Sequence, residues 1–133
     1  MSGETNLDSL LRGLSGELVE GVFVFVTVDP KRLPRALTPQ MIFRETEGVT
    51  VILHRDEAEA QGLAYEFPCR MITLTVHSSL QAVGFLAVIA TRLAEHGIGV
   101  NPVSGFFHDH LFISEGREAE AMAILQTIAQ DHH

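Results

Sequence analysis

Two histidines flank an aspartate in His108-Asp109-His110, a set of side chains that could bind a transition metal or act as a general base. A metal site needs a further protein ligand, and His77 is the obvious candidate. The segment also lies between Phe106-Phe107 and Leu111-Phe112, apolar pairs that are typical of a β-hairpin. We therefore interpret His108-Asp109-His110 as a hairpin turn, with a metal site or part of a small-molecule site as the alternatives.

A second polar group follows an apolar strand. Ser78-Ser79-Leu80-Gln81 has the pattern of a capping box, in which Ser78 caps a helix and Gln81 stands three residues later. Free backbone amides at a helix N-terminus also bind anions, so the amides of Ser79 and Leu80 could hold the carboxylate of an amino acid. Capping and anion binding are compatible here.

Two further segments could complete such a site. Gly84 lies inside the predicted helix, where it costs about 1 kcal/mol relative to alanine, so it indicates close approach of a strand, a ligand or a partner domain. The segment at residues 101–105 interrupts an apolar strand, and its backbone could form a bulge or meet a ligand. Asp109 is the expected partner for an ammonium group. The predicted ligand-binding residues are His77, Ser78, Ser79, Leu80, Gly84, Asn101, Ser104, Gly105 and Asp109.

The composition excludes several classes of protein. The 133 residues are 46% hydrophobic and 20% charged, which is enough apolar material for a core. A formal net charge of -8 without a basic cluster argues against nucleic acid or an anionic membrane as partner. One cysteine, no signal-peptide pattern and no long apolar run predict a cytoplasmic protein. No phosphate loop, nucleophile elbow or His-Glu-x-x-His pattern occurs, so we predict neither an enzyme nor a cofactor.

The elements that must position these residues are clearest in the second half of the chain. Residues 70–76 form a predicted strand, followed by a helix from Ser78 that ends at Gly97. Residues 98–107 and 110–113 form a strand pair, and a helix follows over residues 116–129. The residues expected to face the core are Leu80, Val83, Leu86, Ala87, Ala90, Leu93 and Ala94 in the first helix, and Ala119, Met122, Leu125 and Ile128 in the second.

The first half repeats this order with one difference. A short helix capped by Thr5 and closed by Gly16 precedes a strand at residues 21–28, a hairpin at residues 41–53, a helix at residues 55–61 and an extended segment with Pro68 at an edge or a bulge. A loop containing Pro30, Pro34 and Pro39 replaces the first helix of the repeat. The sequence therefore predicts an α+β fold of two ferredoxin-like βαββαβ units, each an antiparallel sheet with helices on one face, at residues 1–68 and 69–133.

Several segments together resemble a known family. They are Ser2-Gly3-Glu4-Thr5-Asn6-Leu7, Phe43-Arg44-Glu45 with Glu47-Gly48, Thr73-Leu74-Thr75-Val76-His77-Ser78-Ser79-Leu80 with Ala82-Val83-Gly84, and Gly105-Phe106-Phe107-His108-Asp109-His110-Leu111-Phe112. This combination, which covers nearly the whole chain, resembles small bacterial proteins built of two tandem ACT-like domains. The resemblance implies a regulatory module that binds an amino acid or another small effector where two domains meet.

We therefore expect a free-standing sensor whose effector is an amino acid and whose output passes through an unidentified partner protein. The apolar strands leave unpaired sheet edges, which predict a homodimer. The alternatives are a structural or dimerisation module without a ligand, and a metal-binding protein that uses His108 and His110.

Overall fold

The computed structural model describes residues 3–33 and 36–133, so Ser2 and Pro34 lie outside the described residues. The chain forms two compact units. The split unit consists of Met1–Glu20 together with Arg70–His133, and the inserted unit consists of Gly21–Cys69. In chain order the elements are α1 (Leu7–Arg12), β1 (Gly16–Leu18), β2 (Phe23–Val28), a 3-10 turn (Pro30–Arg32), β3 (Met41–Arg44), β4 (Val49–His54), α2 (Arg55–Ala60), β5 (Glu66–Leu74), α3 (Phe85–Glu95), β6 (Val100–Ser104), β7 (Asp109–Ser114) and α4 (Glu118–Asp131).

The inserted unit has the strand order β3-β4-β2-β5, and residues 66–69 of β5 belong to it. Strands β2 and β4 pair antiparallel along their whole length because both are rich in β-branched residues. Their inward side chains form a core with Ala58 of α2: Val24, Val26, Val49, Val51 and Leu53. The 3-10 turn stands where the first helix of a βαββαβ plan would be, as predicted. Phe67 has a φ of 56°, and the register with β2 shifts there, which agrees with the bulge that was one of the two alternatives at Pro68.

The split unit has the strand order β1-β5-β7-β6. Its core packs α1, α3 and α4 with the sheet through buried side chains that include Leu11, Ile72, Ile89, Leu111 and Leu125. Strand β1 pairs antiparallel with β5 and takes the position of the last strand of the βαββαβ plan. Both units thus have the same strand order, and the predicted α+β, ferredoxin-like fold is confirmed.

The helix predicted to start at Ser78 begins seven residues later, at Phe85. The prediction was wrong because Ser78 instead forms a parallel β-bridge with Glu4, a pairing that no local pattern reveals. As a result Leu80 and Val83 are 66% and 83% exposed instead of buried. Only Leu93 of the predicted buried stripe is fully buried, and α3 buries Phe85 and Ile89 as well.

Smaller corrections concern α1 and α4. Helix α1 is capped by Asn6, whose side chain accepts the Ser9 N–H, and it ends at Gly13; Thr5 and Gly16 do not bound it. Helix α4 buries Leu125 and Ile128 as expected, together with Ala121 and Ile124, while Ala119 is exposed and Met122 is half-buried.

The domain boundary between residues 68 and 69 stays a prediction. Among residues 3–33 and 36–133, no helix is long and apolar enough to span a bilayer.

Candidate effector site

Asp109, the first residue of β7, is a buried carboxylate that is 6% exposed. Ser104 lies opposite it in the β6–β7 pairing and donates its hydroxyl to Oδ1 at 2.6 Å. Ser78 donates its hydroxyl to Oδ2 at 2.8 Å. No cationic side chain among the described residues forms an ion pair with Asp109. Because an ionised carboxylate offers about four acceptor positions, Asp109 can accept hydrogen bonds from a further donor.

A cavity of about 150 Å³ adjoins this carboxylate. A cavity of that size holds a molecule of about the size of benzene, so it suits a small metabolite and not a nucleotide. Hydroxyl, aliphatic and backbone groups surround the single carboxylate. The lining residues are Ser78, Ser79, Leu80, Ala82, Gly84, Phe85, Leu86, Ala87, Ser104 and Asp109.

The first turn of α3 also lines this cavity. Gly84 precedes the helix with a φ of 93°, a conformation that favours glycine, and no side chain caps the helix. The amides of Phe85, Leu86 and Ala87 therefore lack partners within the helix. These amides and the positive end of the helix dipole attract an anion. Gly84 thus turns the chain into the helix, and the prediction that it lies inside the helix was wrong.

Six of the nine predicted site residues line the cavity: Ser78, Ser79, Leu80, Gly84, Ser104 and Asp109. His77, Asn101 and Gly105 do not. Asn101 is exposed and pairs with Phe112 in the hairpin, while the Gly105 amide donates to the His108 carbonyl at 2.9 Å. The expectation for the Ser79 amide was wrong, because that N–H donates to the Glu4 carbonyl at 2.9 Å. Ala82, Phe85, Leu86 and Ala87 were missed, although an uncapped apolar run after Gly84 was visible in the sequence.

The histidine segment is a hairpin, but its turn lies earlier than predicted. Residues 105–108 form the connection, while Asp109 and His110 are already part of β7. His110 Nδ1 shares a 2.9 Å hydrogen bond with the Thr73 hydroxyl. Burial lowers the pKa of His110, and the neighbouring His108 lowers it further, whereas Asp109 opposes both effects.

His77 lies beside this hairpin without lining the cavity. Its ring is 5.5 Å from that of Phe107 and 6.4 Å from that of His108, and its buried Nε2 has no hydrogen-bond partner in the part of the chain that the structure describes. The His108 and His110 rings are 6.5 Å apart. Within the part of the chain that the structure describes, no group of three or more histidine, cysteine or acidic side chains could hold a metal ion.

The equivalent position in the inserted unit has different chemistry. Arg44 and Val49 pair across the β3–β4 hairpin as Ser104 and Asp109 pair across the β6–β7 hairpin, and each hairpin has a four-residue connection. A buried valine thus replaces the carboxylate, and the 3-10 turn replaces the helix N-terminus. The combination of buried carboxylate and uncapped helix therefore belongs to the split unit.

Comparisons with known proteins agree with this architecture. Two sequence models, each of an ACT domain, match residues 2–70 and 66–127. A solved protein of unknown function from Vibrio cholerae, described as a possible transport protein, is 42% identical, with 93% of this chain and 96% of that chain covered and a TM-score of 0.84. No curated protein matches.

Two other solved structures share the fold alone. A protein from Agrobacterium tumefaciens is 16% identical, with 87% of this chain and 89% of that chain covered and a TM-score of 0.73. The regulatory subunit of aspartate kinase from Thermus thermophilus is 9% identical, with 85% and 95% covered and a TM-score of 0.62. The two tandem matches and the identity to the Vibrio cholerae protein agree with the resemblance found in the sequence. This chain belongs to the ACT-domain family.

Proposed function

We propose that the protein is a regulatory sensor, not an enzyme, and that its effector is a small amino acid bound in the cavity of the split unit. One observation carries the proposal: a buried carboxylate, which has no cationic partner among residues 3–33 and 36–133, lines the same small cavity as an uncapped helix N-terminus. An amino acid carries an ammonium group and a carboxylate a short distance apart. Its ammonium group can therefore pair with the carboxylate, and its carboxylate with the amides at the start of the helix.

In the proposed complex the ammonium group donates to Asp109, and the effector's carboxylate accepts from the first-turn amides of α3. The effector's side chain then meets Leu80, Ala82 and Leu86, which are apolar. A short, uncharged side chain fits these neighbours. An acidic side chain would be repelled by Asp109, and a long one would extend beyond the cavity of about 150 Å³.

The family supports the regulatory part of this proposal. ACT domains are regulatory modules, and the regulatory subunit of aspartate kinase shares the fold. Fold alone does not identify a ligand, so the effector class is argued from the cavity. We also propose a cytoplasmic homodimer that acts on a partner protein. Ile42 and Phe43, on the edge strand β3 of the inserted unit, are 48% and 62% exposed, as a pairing surface would be.

A thermal-shift screen against the standard amino acids tests the effector class. At one hundred times its dissociation constant, an effector stabilises the folded protein by about 2.7 kcal/mol, which raises the melting temperature by several degrees. The hit is then compared with its N-acetyl and its carboxamide derivatives. We expect both to lose the shift, because each lacks one of the two charges. A screen without any hit, or an N-acetyl derivative that binds as well as the parent compound, would overturn the proposal.

A further inference from the structure

We propose that the segment Gly3–Leu7, called here the strap, positions the effector site, an inference that rests on the proposed function. The strap contacts both components of the site. It pairs with the backbone around Ser78, whose hydroxyl donates to Asp109, and its Leu7 lies beside Gly84 at the start of α3.

The first contact is made by backbone hydrogen bonds. The Glu4 N–H donates to the His77 carbonyl at 2.9 Å, and the Ser79 N–H donates to the Glu4 carbonyl at 2.9 Å. These two bonds fix the backbone on either side of Ser78. Since the direction of the Ser78 hydroxyl depends on that backbone, the strap determines where Ser78 meets Asp109.

Gly3 permits this close approach. A Cβ atom at residue 3 would lie 2.5 Å from the His77 carbonyl oxygen, 2.7 Å from the Ser78 carbonyl carbon and 2.8 Å from the Ser79 nitrogen. All three are backbone atoms, which cannot move aside as the end of a flexible side chain can. Any residue other than glycine must therefore displace the strap from the loop that carries Ser78.

The second contact links the strap to α3. A Cβ on Gly84 would be 3.4 Å from Leu7 Cδ2, which places Leu7 against the residue that starts the helix. The strap is itself held in place, because the Glu4 carboxylate accepts the amides of Thr5 at 2.9 Å and Asn6 at 3.2 Å. Helix α1 then anchors it through Leu10 and Leu11, which are buried in the core.

If the strap stabilises the effector site in its ligand-bound conformation, the bound effector must also stabilise the strap, because coupling between two sites is reciprocal. Displacing the strap should therefore weaken effector binding without unfolding the unit, since the leucines of α1 stay buried. Gly3→Ala is the test variant. Gly99→Ala is the matched control, because it makes the same change in the split unit at a position with nothing within 4 Å of the added Cβ.

The experiment measures two quantities for the parent and both variants. Calorimetric titration with glycine, L-alanine, L-serine and L-threonine gives the dissociation constants, and amide hydrogen exchange of the unliganded protein gives the protection of Ser79 and Ile72. We expect Gly3→Ala to expose the Ser79 amide, to leave the core amide of Ile72 protected and to weaken binding about tenfold or more, as loss of a hydrogen bond to a charged group does. Gly99→Ala should have the same dissociation constant and the same amide protection as the parent.

Two results would overturn the role of the strap and leave the proposed function standing. In one, the Ser79 amide stays protected in Gly3→Ala; in the other, it is exposed but the affinity for the effector is unchanged. Absence of binding by the parent would instead overturn the proposed function, and the strap inference with it. If Gly3→Ala does not fold, Glu4→Pro is used, because it removes the amide that donates to His77 at an exposed position. We expect Glu4→Pro, like Gly3→Ala, to expose the Ser79 amide and to weaken binding. A protected Ser79 amide or an unchanged affinity would again contradict the role of the strap.

Discussion

The substitution Asp109→Asn separates effector binding from folding. Asparagine keeps the size of the side chain but removes the charge that would attract an ammonium group. In the unliganded protein its amide can still form hydrogen bonds with Ser78 and Ser104, since a hydroxyl can either donate or accept. The variant should therefore fold as well as the parent and bind the effector less tightly.

The magnitudes follow from the contacts. A hydrogen bond to a charged group contributes about 1.5–3 kcal/mol, so its loss raises the dissociation constant about 10- to 150-fold. The unfolding free energy should not fall, because burying a carboxylate that has no cationic partner among the described residues is itself unfavourable, and the neutral amide relieves that cost. Asp109→Ala, in contrast, leaves the buried Ser78 hydroxyl without its partner and should lower the unfolding free energy by about 1–3 kcal/mol.

Calorimetric titration with the amino acid that gives the largest thermal shift measures the dissociation constant, and urea denaturation measures the unfolding free energy. Asp8→Asn is the matched control, because it makes the same change at an exposed carboxylate of α1 and should alter neither quantity by more than the small contribution of a surface pair with Arg12. Unchanged affinity in Asp109→Asn would refute the ammonium contact. A loss of unfolding free energy as large as the loss of binding free energy would show that Asp109 is only structural.

Three further predictions concern other parts of the molecule. Arg70→Met removes a 3.2 Å ion pair with Glu118 in which both side chains are only about one-fifth exposed, and urea denaturation should show a loss of about 1.5–3 kcal/mol; a change near zero would contradict the role of that pair. His110 has a pKa below its ordinary value of 6.5 because of burial, so the unfolded chain binds more protons than the folded one as the pH falls below 6.5; the unfolding free energy should decrease there, and less so in His110→Asn. Light scattering should give twice the mass of one chain, whereas a monomer at micromolar concentration would rule out the proposed homodimer.

Most strands could be predicted from sequence because their signals are local, whereas β1, which pairs with the distant β5, was missed. The apolar segment at residues 23–28 and the two hairpins each carry their own pattern of strand and turn residues, and the repeat of that pattern predicted the ferredoxin-like plan. The bulge beside Pro68 was also visible, since proline cannot donate to the neighbouring strand.

The start of α3 could not be predicted because the decisive contacts are distant in sequence. Ser78 has the local appearance of a helix cap, but its backbone pairs with Glu4 and its hydroxyl binds Asp109. Local capping and long-range pairing compete for the same groups, and the tertiary contacts prevail. Ser104 and Asp109 were recognised as candidates from the sequence. Their hydrogen bonds with each other and with Ser78 could not be predicted, because Ser78 is distant from both in sequence.

A crystal structure of the protein grown with the strongest-binding amino acid of the thermal-shift screen tests the central claim most directly. We expect one effector molecule in the cavity of the split unit. Its ammonium group should lie within hydrogen-bond distance of an Asp109 carboxylate oxygen, and its carboxylate should meet the amides of Phe85, Leu86 or Ala87. An effector bound elsewhere on the chain, or one bound in this cavity with its ammonium group away from Asp109, would contradict the account.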